Sequence, residues 1–189
     1  GGCPMAGAHM TAKEMEHARH MGLADHRGTV AAPSRPALGF ALDATTLADV
    51  HAWADRAGVD CKDKHPGLVV CAGVNPGTMG LDPAEGTIDE LALGFNTRGL
   101  LVNETTFRSH LSPQVAASAA RDIVSSLVAK LGPAKESAGA FDAARLSSPS
   151  ATSISTVSYL YRDYVAEVSA MNLPNSGPLI REHYMSAND

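Results

Sequence analysis

Two acidic side chains, Asp43 and Glu104, follow short apolar runs of the chain and could serve as a general base or as metal ligands. Asn75 and Asn103 also lie at the ends of apolar runs and could donate hydrogen bonds to a polar substrate. Polar residues after strands are also common turn formers and helix caps, so a purely local structural role is the alternative. We predict catalytic roles for Asp43 and Glu104 and ligand-binding roles for Thr46, Asn75, Thr78, Asn103 and Thr106.

The apolar runs that would position these residues are predicted as buried strands. They cover residues 37–43, 68–74 and 99–103. The second run, LVVCAGV, is followed by NPGTMG, a turn-rich stretch that we expect at the ligand-binding edge of the sheet. Because this stretch matches neither glycine-rich phosphate-binding motif, a structural turn is the expected form of its backbone.

Helices are predicted before, between and after these strands, because apolar residues recur there at intervals of three and four. A Thr with an acidic residue three positions later marks the starts at Thr11, Thr46 and Thr87. The strongest pattern begins at Ser112, with Pro113 in the first helical position, and stops before Gly132. The predicted helices cover 11–22, 46–57, 87–95, 112–131 and 154–171.

The alternation of strands and helices predicts an α/β fold with a small parallel or mixed sheet and covering helices. A helical crossover returns the chain to the sheet in the same direction, which favours parallel pairing. A chain of 189 residues fits a single domain, which we place at 11–171. Residues 1–10 are predicted as a tag remnant or disordered leader, and 172–189 as an irregular C-terminal tail.

Ligands of open parallel sheets bind beyond the carboxyl ends of the strands. We therefore predict a soluble domain that binds a small polar or anionic molecule there, with catalysis left open and no cofactor assigned. The alternative is a non-catalytic scaffold subunit that self-assembles, and a homo-oligomer is expected. The features behind this alternative are the Ala-rich helix at 113–131 and the tyrosines Tyr159, Tyr161 and Tyr164, since amphipathic helices and tyrosines are common at interfaces.

Composition and charge exclude several classes of partner. The formal net charge is −5 and no cluster of Lys and Arg is present, which argues against binding to nucleic acid. No apolar run approaches the roughly 20 residues of a membrane span, so no membrane partner is expected. Three cysteines, Cys3, Cys61 and Cys71, form no CxxC pair, which argues against a disulfide framework and favours the cytoplasm. Cys71 is expected to act as a small apolar core residue.

In the first predicted helix, Glu14 and His17, and also Glu16 and His20, share a helix face, as the ligands of a metal-binding helix do. Carboxylates beside histidines on a polar face are more commonly solvated ion pairs. The sequence repeats this motif nowhere else, so no metal ligand is predicted.

Overall fold

The computed structural model describes residues 11–24 and 27–188, which form three α-helices and one eight-stranded sheet. None of these helices is long and apolar enough to cross a membrane. In chain order the elements are α1 (Ala12–Ala24), α2 (Leu47–Ala57), β1 (Asp60–His65), β2 (Leu68–Val74), β3 (Ile88–Phe95), β4 (Leu101–Arg108), α3 (Pro113–Leu131), β5 (Glu136–Ala138), β6 (Ser150–Leu160), β7 (Tyr164–Leu173) and β8 (Gly177–Ser186).

The sheet is antiparallel throughout, with the strand order β1-β2-β3-β4-β8-β7-β6-β5. The prediction of an α/β fold with a parallel or mixed sheet is therefore wrong. Most neighbouring strands follow one another along the chain through short turns, as antiparallel pairs allow. Among the described residues, α3 is the connection that crosses the sheet, because it links β4 near the centre to β5 at one edge.

Helix α3 covers one face of the sheet and packs mainly against β7 and β8. It begins as predicted: the Ser112 side chain accepts a hydrogen bond from the Val115 amide, and Pro113 occupies the first turn. Seven of its side chains are buried against the sheet: Ala116, Ala117, Ala119, Ala120, Ile123, Leu127 and Leu131. The hydroxyl groups of Tyr159 and Tyr161 donate to the carbonyls of Gly132 and Leu131, which ties the end of the helix to β6.

Three further predicted elements are confirmed. Thr11 and Glu14 form a capping box at the start of α1, and Thr46 and Asp49 form another at the start of α2. The run 68–74 is strand β2, but it lies second from the edge of the sheet, and its buried and exposed residues show that one face is open.

The other predicted elements are wrong. One predicted strand is a series of turns, and residues predicted as helices or as an irregular tail form strands. Residues 37–43 form turns with Leu38 and Asp43 at positive φ, and no strand. The predicted helix at 87–95 is strand β3, in which Leu91, Leu93 and Phe95 alternate on the buried face. The predicted helix at 154–171 is the β6–β7 hairpin, and the predicted irregular tail contains β8 in the middle of the sheet. The predicted leader 1–10 lies outside the described residues.

Cys61 and Cys71 form a disulfide, so the inference against disulfides is wrong. Cys71 is fully buried in the hydrophobic core, as predicted, but it is there as half of the disulfide and not as a thiol. The two cysteines stand directly opposite each other in the β1–β2 hairpin. The register of a hairpin, rather than a CxxC spacing, brings the two thiols together.

Candidate functional site

Polar side chains occupy the centre of the sheet on the face that α3 covers. Strands β4 and β8 are neighbours, and their register places Glu104 opposite Tyr184 and Thr106 opposite Glu182. Because side chains alternate along a strand, Arg108 falls on the same face as Glu104 and Thr106. All five side chains are buried, with no more than 3% of any residue exposed. We call these five residues, Glu104, Thr106, Arg108, Glu182 and Tyr184, the central polar cluster.

The carboxylate of Glu182 accepts hydrogen bonds from three neighbours. Arg108 Nη1 lies 2.5 Å from Glu182 Oε2, and Thr106 Oγ1 lies 2.9 Å from the same oxygen. The Tyr184 hydroxyl donates to Glu182 Oε1 at 2.6 Å. Burial and the Glu182 carboxylate raise the pKa of Tyr184 well above its ordinary value, so its hydroxyl remains a donor at neutral pH.

Glu104 differs from its neighbours because neither of its carboxyl oxygens has a hydrogen-bond partner among the described residues. Its side chain is fully buried. Burial, with a smaller effect from the Glu182 carboxylate, raises the pKa of Glu104 well above its ordinary value. The neutral form can donate one hydrogen bond and accept others.

Arg108 also has unused hydrogen-bonding capacity within the described part of the chain. Its Nη1 is bonded to Glu182, but Nη2 has no hydrogen-bond partner and lies 3.7 Å from Glu85 Oε2. Burial and the nearby Glu182 carboxylate raise the pKa of Glu85, while Arg108 opposes this rise. Buried polar groups in folded proteins are almost always satisfied by protein, water or ligand, so Glu104 and Arg108 together mark an unusual place in the core.

A pocket lies beside the central polar cluster, between α3 and the sheet. It has a cavity volume of about 40 Å³. Glu182 and Tyr184 belong both to the cluster and to the lining of this pocket. Glu85 lies on its wall, and Ser126 and Lys130 of α3 also line it. A small molecule that enters here would therefore meet a carboxylate and a phenol hydroxyl of the cluster.

Comparison of the chain with protein families, with curated proteins and with solved structures finds no match. Within residues 11–24 and 27–188, no three His, Cys, Asp or Glu side chains are grouped so that they could hold a metal ion. The chemistry of the site must therefore be argued from its own side chains.

Two of the seven residues predicted to form the site, Glu104 and Thr106, belong to the central polar cluster. They lie within β4 instead of beyond its end, because the strand continues to Arg108. Asn103 points to the opposite face of the sheet, where its Oδ1 lies 2.6 Å from His183 Nε2. Burial and nearby Arg181 lower the pKa of His183 to about 4.

Asp43 lies in a turn with φ of 63° and forms a separate network. Its Oδ2 accepts hydrogen bonds from Arg35 and Ser186, each at 2.6 Å, and from Asn188 at 3.1 Å. Burial on its own would raise the pKa of Asp43, but the hydrogen bonds from Ser186 and Arg35 lower it below its ordinary value. These contacts attach the turn to the end of β8.

The remaining predicted residues have local structural contacts. Thr46 caps α2, and its backbone forms an isolated bridge with Leu100. Asn75 caps a short 3₁₀ turn at Pro76–Met79 by accepting from the Gly77 amide. The Thr78 hydroxyl donates to the Asn75 carbonyl at 2.7 Å. These contacts are turn and helix-cap interactions, which is the local role given above as the alternative to ligand binding.

Four residues at or beside the cluster were not predicted from the sequence: Arg108, Glu182, Tyr184 and Glu85. The segments ETTFR and REHY carry no clear strand signal, because polar residues stand at successive positions in both instead of alternating with apolar ones. The second segment also lies in the predicted irregular tail. Only the pairing of β4 with β8 brings the two sets together.

Proposed function

We propose that this protein binds a small polar molecule in the pocket between α3 and the centre of the sheet. The observation that supports this proposal is the central polar cluster, in which Glu104 and Arg108 retain unused hydrogen-bonding groups next to a pocket lined by Glu182 and Tyr184. Polar groups inside an antiparallel sheet cost stability unless they are satisfied, and a binding role accounts for their presence.

The proposal concerns binding and gives no catalytic role to the predicted pair Asp43 and Glu104. Asp43 is engaged by Arg35, Ser186 and Asn188, and it lies outside the cluster. The ligand is expected to be small, because the cavity is only about 40 Å³. Its polar group should donate hydrogen bonds, as an amide or a guanidinium does, since the Glu182 carboxylate accepts and the Tyr184 hydroxyl, whose proton goes to Glu182 Oε1, offers the ligand only its oxygen.

The test replaces Tyr184 with Phe, which removes one hydroxyl group from the pocket and keeps the ring. Acetamide, acetate and methylguanidinium are each titrated into ¹⁵N-labelled wild-type protein while the backbone amide spectrum is recorded. At least one probe is expected to shift the amides of Ser126, Leu127 and Lys130, because these residues line the pocket. The shifts should weaken or disappear in Tyr184→Phe.

Tyr161→Phe is the matched control, because the Tyr161 hydroxyl donates to the Leu131 carbonyl and lies outside the pocket lining. This variant should retain the probe-induced shifts of the wild type. The proposal fails if no probe moves the α3 amides, or if Tyr184→Phe responds as the wild type does.

We also propose that the protein works in an oxidising compartment. Disulfides form and persist in such compartments and are rare in the cytoplasm, and the Cys61–Cys71 bond supports this location over the cytoplasmic one predicted from cysteine spacing.

Self-assembly remains an alternative proposal, but its two sequence features have internal roles in the fold. The apolar side of α3 packs on the sheet, and the hydroxyls of Tyr159, Tyr161 and Tyr164 donate to backbone carbonyls within the chain. Neither feature therefore favours assembly over the binding proposal.

A further inference from the structure

A second cavity lies between α1 and the face of the sheet that α3 does not cover. Its volume is about 90 Å³. Gly94 of β3 and Asn103 of β4 are partners across the sheet, and both belong to the lining of this cavity. Met15 lines it from α1 and Leu68 from β2. The cavity is separate from the pocket beneath α3, because the two share none of their described lining residues.

Helix α1 is attached to the rest of the protein by polar contacts and not by close apolar packing. Glu16 accepts hydrogen bonds from the amide and the hydroxyl of Thr97, at 3.3 Å and 3.0 Å. Arg19 Nη1 donates to the carbonyl of Ser186 at 2.6 Å. None of residues 13–21 is fully buried, whereas α3 buries seven of its side chains. The helix is therefore held above the sheet, and its side chains do not fill the space beneath it.

The walls of this cavity are mainly apolar. Their apolar residues are Met15, Leu68, Phe95 and Val102, together with two glycines that add no side chain. Val102 is the extra residue of a β-bulge, where the pairing of β3 with β4 shifts by one residue. Bulges redirect side chains and are common beside active sites. This bulge places Val102, of which only 5% is exposed, in the cavity wall.

One buried polar residue in the wall has an unused hydrogen-bond donor. Asn96 lines the cavity, and only 6% of it is exposed. Its Oδ1 accepts hydrogen bonds from the amides of Arg98 and Leu100, each at 3.0 Å, which fixes the orientation of the side-chain amide. Its Nδ2 amino group has no hydrogen-bond partner among the described residues. Because polar groups of buried residues are almost always satisfied by protein, water or ligand, this donor indicates an acceptor in the cavity.

We propose that this cavity binds a small carbonyl compound, such as a short-chain ketone, whose oxygen accepts a hydrogen bond from Asn96 Nδ2. The hydrocarbon part of the ligand would contact the apolar walls. A dry apolar cavity of roughly 150 Å³ holds benzene, so a space of about 90 Å³ suits a smaller molecule. A carbonyl group carries no charge, and its burial costs little once its oxygen is hydrogen-bonded. This inference does not depend on the pocket beneath α3.

The experiment titrates butanone into the ¹⁵N-labelled full chain and follows the side-chain amide of Asn96 and the backbone amides of Gly67 and Gly94, which line the cavity. These resonances are expected to shift and to saturate. The sec-butylammonium ion has the same carbon skeleton but carries a cationic donor in place of the carbonyl oxygen. It should leave these resonances unmoved at equal concentration, because Asn96 Nδ2 cannot donate to it.

Two variants test the donor and the space separately. Asn96→Asp keeps an oxygen for the amides of Arg98 and Leu100 but loses the donor, so its affinity for butanone should fall by about tenfold or more. Met15→Trp should weaken binding similarly, because the larger side chain occupies the cavity. Met21→Trp changes an exposed residue of the same helix outside the lining and should bind butanone as the wild type does.

Three results would overturn the inference. The first is that butanone does not shift the resonances of the cavity residues in the wild type. The second is that sec-butylammonium shifts them to the same extent. The third is that Asn96→Asp or Met15→Trp binds butanone as tightly as the wild type.

Discussion

Glu104 lies inside β4, fully buried, and neither of its carboxyl oxygens has a hydrogen-bond partner in the described part of the chain. The sequence predicts a site role for Glu104 because the residue follows a short apolar run, after which a carboxylate would face a ligand. The acidic residue type was a useful signal, but its neighbours Glu182 and Tyr184 come from β8, 78 and 80 positions away in sequence.

The raised pKa of Glu104 predicts a specific dependence of stability on pH. The folded protein retains a proton on Glu104 at pH values where the unfolded chain, with its ordinary pKa of 4.5, has released it. Unfolding therefore becomes easier as the pH rises above that value, by about 1.4 kcal/mol per pH unit while only the folded form is protonated. Glu104→Gln removes this contribution.

The prediction is checked by urea unfolding of the wild type and Glu104→Gln at several pH values between 5 and 8. The free energy of unfolding of the variant, relative to that of the wild type, should increase with pH. Glu90→Gln, which changes an exposed carboxylate on β3, should keep the pH dependence of the wild type. An unchanged dependence in Glu104→Gln would contradict the burial of a neutral carboxyl at this position.

At the scale of elements, local signals correctly located the starts of α1, α2 and α3. Both confirmed capping boxes join a Thr to an acidic residue three positions later, which is an interaction within one helical turn. The Ser112 and Pro113 start of α3 is local in the same sense. Such signals involve only a few adjacent residues. At Ser112 and Pro113 they determine where α3, the helix that covers the site, begins.

The strands depend on partners that are distant in sequence, and most of them were not predicted. In the segment 154–171, residues such as Val157, Tyr164 and Val168 fit a helical interval, yet they belong to two strands on either side of a tight turn. The capping pattern at Thr87 and Glu90 wrongly predicted a helix, because residues 88–95 form strand β3, which pairs with both β2 and β4. Tertiary pairing outweighed local propensity in both segments.

The β1–β2 hairpin supports a prediction about the disulfide. The bond joins residues separated by 10 positions, and a crosslink of this size restricts the unfolded chain enough to stabilise the fold by about 2.5 kcal/mol. Reduction of the Cys3→Ser protein should lower the midpoint of thermal unfolding measured by calorimetry. Alkylation of unfolded protein should label Cys61 and Cys71 only after reduction; labelling without reductant would contradict the disulfide.

At the scale of the whole molecule, the sheet has one face covered by α3, an opposite face whose central residues are mostly half-buried, and two contrasting edges. Strand β1 at one edge has the sequence DCKDKH, and its charged side chains discourage pairing with another sheet. Strand β5 at the other edge has only three residues. These edges argue against growth of the sheet by edge-to-edge assembly. The binding proposal instead concerns the pocket beneath α3.

The most direct test of that proposal is a crystal structure of the wild-type protein soaked with the probe that shifts the α3 amides. We predict density for the probe between α3 and the sheet, within hydrogen-bond distance of the Tyr184 hydroxyl or the Glu182 carboxylate. Crystals of Tyr184→Phe treated in the same way should show weaker density or none. Density for the probe elsewhere on the molecule, with α3 packed closely over an empty pocket, would contradict the account.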